Sequence, residues 1–156
     1  MENGAISMAR VPTIAEEDAK RPNRERDCLV GERTRIVNRI KSTLARLGIR
    51  NFKPTLRKAA ERLATVYTPE GMPLPPNTLA ELQRDMARLG VVISQIRQIE
   101  EARQKRLEQH HETGPHAMVR LLARIVGVGV ETADMLVHEA CHGQCVTAEP
   151  WPATPA

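Results

Sequence analysis

At 156 residues, the chain has room for one domain or two small ones and is too short for a large enzyme core. Apolar residues reach 41% but aromatics only 2%, with one Trp, one Tyr and one Phe, so the core has to be built from Leu, Ile, Val, Ala and Met, a palette that favours helices over sheets. A net charge of +4 permits an anionic partner such as nucleic acid without requiring one.

No stretch approaches the roughly 18 uninterrupted apolar residues of a membrane span, and Met1-Glu2-Asn3-Gly4 lacks the basic start of a secretion signal. A cytoplasmic location without membrane association is the expectation. Cys28, Cys141 and Cys145 are an odd, scattered set, which argues for reduced thiols rather than a disulfide framework.

In chain order, residues 1–12 carry no periodicity and read as a disordered N-terminus. From 13 to 109 the pattern is that of a helical coiled-coil connector. Between about Asn23 and Leu47, the residues Leu29, Ile36, Ile40, Leu44 and Leu47 recur at helical spacing on one face, and Gly48 is a natural stop. A shorter helical pattern carries Leu56, Leu63 and Val66. Pro69, Gly71, Pro73, Pro75 and Pro76 then forbid regular structure. Thr78 and Glu81 have capping-box spacing and predict the start of a long helix. Leu79, Leu82, Met86, Leu89, Ile93 and Ile96 form a heptad seam, widened by Val92 and Ile99. Continued to about Glu108, that helix is about 46 Å long at ~1.5 Å per residue, so part of it is expected to project or to pair with a second copy of the chain.

His110 to Pro115 breaks the pattern. Residues 117–140 read as two short helices joined at Gly127-Val128-Gly129, and residues 141–156 as a disordered tail. The fold class is therefore all-α: a long helical hairpin or coiled coil followed by a helix-hairpin-helix element, with disordered termini.

Charge marks the first candidate site. Arg33, Arg35, Arg39, Lys41, Arg46, Arg50, Lys53, Arg57 and Lys58 lie in a run without a single Asp or Glu. Arg35, Arg39, Ser42 and Arg46 stand at i, i+4, i+7 and i+11, one residue before the apolar row and so about 100° around the helix from it. Such a stripe can grip phosphates while the neighbouring face packs; a solvated polar face is the alternative. The scarcity of aromatics argues against base stacking on single strands.

Leu121 to Ala133 resembles a helix-hairpin-helix element, in which Gly127 and Gly129 would turn the backbone and aim the amides of Val130, Glu131 and Thr132 at a phosphate. Bare helix-turn-helix packing is the alternative, and Glu131 puts an acid where a base would serve better. If either glycine adopts positive φ, Gly129→Val is expected to disturb the turn. His138, Cys141, His142 and Cys145 lie along one helical face, which cannot wrap four ligands around one zinc ion, and the order of Cys and His rules out haem attachment. Ser7, Ser42 and Ser94 build no nucleophile constellation with the scattered acids.

The text Val11-Pro12-Thr13 with Arg24 to Lys41 resembles the middle of DEDD-type insertion-sequence transposases, the IS-one-ten and IS-eleven-eleven group. Met118 to Ile125, with Glu131-Thr132-Ala133, resembles the start of that family's C-terminal domain. The resemblance, covering roughly Val11 to Ala140, implies a RuvC-like metal-dependent domain before the connector and a serine nucleophile after it. Both fall outside this chain, so it implies a truncated transposase fragment with no catalytic residue of its own. It also implies DNA, and structured RNA of the element, as partners. Mg²⁺ is implied for the full-length family and no cofactor for this segment. The competing reading is a helical adaptor with no nucleic-acid role.

Overall fold

The computed structural model describes residues 12–109 and 114–140. The expected disorder of residues 1–11 and 141–156, and Cys141, His142 and Cys145 of the rejected zinc set, lie outside the described residues. Among the described residues five α-helices follow in order: α1 Ile14–Arg46, α2 Ala59–Leu63, α3 Pro76–Gln109, α4 Pro115–Leu122 and α5 Val130–Met135, the last continued by a π-helical turn, Leu136–Ala140. An isolated antiparallel bridge, Tyr67 to Pro73, ties off the proline-rich turn. The all-α expectation holds.

The described residues divide into two compact units, Glu25–Arg103 and the described parts of 1–24 and 104–156.

In the Glu25–Arg103 unit, α1 and α3 form an antiparallel hairpin: Arg26 bonds Glu100 while, further along α1, Arg39 bonds Asp85. Ile36, Ile40 and Leu44 of α1 share a core with Leu82, Leu89, Val92 and Ile96 of α3, and Phe52, Ala59, Leu63 and Leu74 complete it. Residues three and four apart fall on one helix face, which is why these side chains reach the interior together. α1 ends in a Schellman motif, with the Ile49 amide donating to Leu44 O and the Gly48 amide to Ala45 O, both at 3.0 Å. Gly48 has φ +80°, and a Cβ there would lie 2.7 Å from Pro69 Cγ.

Several sequence-based boundaries move. α1 begins at Ile14, not Asn23: Thr13 and Glu16 form a reciprocal capping box, Thr13 N to Glu16 Oε2 at 2.6 Å and Glu16 N to Thr13 Oγ1 at 3.2 Å. The helix then runs through Pro22, a residue that usually ends one. α3 begins at Pro76, ahead of Thr78. Its first bond runs from the Leu79 amide to Pro75 O, which puts Pro76 at the first helical position, where a missing N–H costs nothing. The helix around Leu63 is only five residues, and Leu56 is exposed.

In the second unit, Leu107 from the end of α3 packs with Val119, Ala133 and Val137. Residues 123–129 join α4 to α5. Gly127 carries the positive φ, +90°. Gly129 is the N-cap of α5 with extended φ −76° and ψ 163°, and nothing lies within 4 Å of where its Cβ would stand. The expectation that Gly129→Val disturbs the turn is therefore corrected: the conformational demand sits at Gly127. Arg24 bridges Glu17 (2.9 Å) and Glu139 (3.5 Å), tying the start of α1 to the π-helical turn.

Candidate nucleic-acid interface

The acid-free run from Arg33 to Lys58 covers the C-terminal part of α1 and the loop after it. Arg35, Lys41, Arg46, Arg50, Lys53, Arg57 and Lys58 are exposed, and Arg33 is half-buried. Arg33, Arg35, Lys41, Arg46 and Arg50 make no ion pair among the described residues. A cation left unpaired at the surface keeps its full charge for an external anion, whereas a paired one has already surrendered part of it.

Arg39 differs from its neighbours in the stripe. Its Nε and Nη2 donate to Asp85 Oδ2 and Oδ1, each at 2.7 Å, the bidentate fork that guanidinium and carboxylate favour. The Arg39 bond holds the Asp85 carboxyl below its ordinary range, against the opposing effect of burial, and Arg88 and Arg84 add to the lowering. Arg88 Nη1 stands 3.5 Å from Asp85 Oδ1.

Asp85 was not singled out by sequence reasoning, although a signal existed. It sits three residues after Leu82 and four before Leu89, so the apolar seam carries an acid in its own register. The buried row of α3 is Leu82, Asp85, Leu89, Val92 and Ile96, with Leu79, Met86 and Ile93 only partly covered. Pro54, Thr55, Leu56, Arg57 and Ala60 face Met86, Leu89, Gly90, Ile93 and Arg97 across an open groove of about 580 Å³.

Gly127, Gly129 and Thr132 lie in the other unit. Thr132 is exposed on α5. The hydroxyl of Thr132 and the glycine turn lie beyond α4, whose Leu121 is exposed, as are Ile125 and Val126 of the turn. Nearby, His138 Nδ1 bonds Asp134 O at 2.9 Å and lies 3.4 Å from Asp134 Oδ1. That side-chain contact raises the His138 pKa, with burial and Arg106 opposing it. Among the described residues, no cluster of His, Cys, Asp or Glu is arranged to hold a metal ion, and no helix is long and apolar enough to cross a membrane.

No family model matches the chain, and no solved structure is significantly similar to it. Over 144 residues the chain is 36% identical to a curated protein of Sinorhizobium fredii (strain NBRC 101917 / NGR234) named "Putative transposase y4rJ", an alignment covering 88% of this chain and 36% of that protein. The chain thus spans little more than a third of that relative's length. Most of this chain is therefore similar in sequence to part of that protein.

Proposed function

We propose that this chain serves DNA transposition as a nucleic-acid-binding and self-associating helical segment of a DEDD-type insertion-sequence transposase, with the chemistry of strand transfer carried elsewhere in the protein. The observation that carries the reading is the set of exposed cations between Arg33 and Lys58, with no acid among them. Each phosphate they neutralise releases counterions, so the logarithm of the affinity should fall linearly with the logarithm of salt concentration. With no aromatic platform and no base-reading helix among the described residues, contacts go to the backbone, and sequence preference should be slight. Structured RNA offers the same phosphates and is a second ligand of this face.

Fluorescence anisotropy with a duplex DNA and a hairpin RNA, titrated with salt, tests the reading. Binding that weakens steeply with salt and is lost in Arg35→Glu/Arg46→Glu/Arg50→Glu supports it. Absence of binding at low salt would favour the helical adaptor instead. Self-association is assigned to the side of the α3 seam left partly open, where Met86 and Ile93 flank Gly90. A glycine in mid-helix costs about 1 kcal/mol against Ala, and its bare surface lets a second helix approach closely.

A further inference from the structure

We infer that Arg39 and Arg88, gathered from α1 and α3 around the buried carboxylate of Asp85, form one phosphate-binding site for duplex DNA that extends the basic face of α1 onto α3. This deepens the reading above and rests on it. The Asp85 side chain is 4% exposed, while those of Arg39 and Arg88 are 46% and 65% exposed. The acid is therefore sunk beneath its two cations and does not face an approaching anion. A single ion pair would be neutral; two guanidiniums on one carboxylate leave an excess positive charge, and Arg84 near Asp85 and Glu81 near Arg39 offset each other around it.

The geometry also fixes orientation. A guanidinium has five N–H donors. Arg39 spends one on Nε and one on Nη2, and the other three have no partner among the described residues. Held by the fork, Arg39 offers those donors without the loss of side-chain freedom that a loose arginine incurs on binding. Arg88, one turn along α3 from Asp85, supplies a second set of donors. Arg35 and Arg46 lie on the same α1 stripe as Arg39, so a backbone following that stripe reaches the pair.

The test compares salt titrations of duplex-DNA binding for the intact chain, Arg88→Gln, Arg39→Lys and a charge-matched control, Lys105→Gln, an exposed position on α3 away from Asp85. Arg88→Gln leaves the Arg39–Asp85 fork in place, so a purely structural role for the cluster predicts no change. The site predicts that the log–log salt slope falls by about 0.9, one phosphate contact, with a several-fold loss of affinity. Arg39→Lys keeps the charge but not the fork and should also bind more weakly, with thermal unfolding recorded to separate folding loss from contact loss. If Arg88→Gln matches Lys105→Gln while the intact chain binds, the inference is overturned and the α1 interface stands. If the intact chain does not bind, both fail together.

Discussion

Gly48 and Gly127 show how much a backbone angle decides at single positions. Both have positive φ, but a Cβ at Gly48 would meet the Pro69 ring at 2.7 and 2.9 Å, whereas the space around Gly127 is open. Gly48→Ala should therefore combine the left-handed penalty of about 1 kcal/mol with a steric clash and lower stability by roughly 2 kcal/mol in urea unfolding. Gly127→Ala should cost only the backbone part, about 1 kcal/mol. At Gly129 the backbone is extended and unobstructed, so Gly129→Ala should be neutral or slightly stabilising by losing unfolded-state entropy. Equal losses at all three sites would contradict this ranking. The glycine pair was visible in the sequence as a turn, but which member takes positive φ depends on where α5 begins.

Element by element, periodicity was a good guide to faces and a poorer one to ends. Ile36, Ile40 and Leu44 are buried as their spacing implied, because a helix has only one face to offer a neighbour. The start of α1 was missed because the apolar row begins only at Leu29, while the Thr13–Glu16 box well upstream of it holds the first turn. Within α3 the seam was legible but not its exact centre, since Leu82 and Ile96 also fit a row that takes Asp85 and Val92 instead of Met86 and Ile93. That distinction separates folding from association. Leu89 is 1% exposed, so Leu89→Asp should bury an unpaired carboxylate and unfold the hairpin, by several kcal/mol. Ile93 lines the open groove and is only partly covered. Ile93→Asp should leave far-ultraviolet circular dichroism unchanged and convert the self-associated species to monomer in sedimentation at micromolar concentration. A monomeric parent chain would remove self-association from the proposed function.

For the molecule as a whole, strand cleavage is expected to be absent: Mg²⁺ added with a supercoiled plasmid should leave the plasmid intact, and cutting by the purified chain would place catalytic acids within it. The two units should also lose stability at opposite ends of the pH scale. Asp85, in the Glu25–Arg103 unit, has its pKa lowered from the ordinary 3.8 by Arg39. A lowered folded value means that the acid binds protons less readily when folded, so its stabilisation is present above about pH 3.8 and is lost as pH falls through the lower folded value. His138, in the other unit, has its pKa raised from the ordinary 6.5, chiefly by Asp134, with Arg106 opposing and the His116 ring 6.0 Å away. Its stabilisation is complete below about pH 6.5 and is lost as pH rises through the raised folded value. Calorimetry from pH 3 to 8.5 should show both declines. Asp85→Asn should flatten the acid limb alone and His138→Gln the alkaline limb alone, because each removes the group whose proton affinity changes on folding. An alkaline decline that survives His138→Gln would mean that another group titrates there, and the Asp134–His138 contact would then carry no pH-dependent stability.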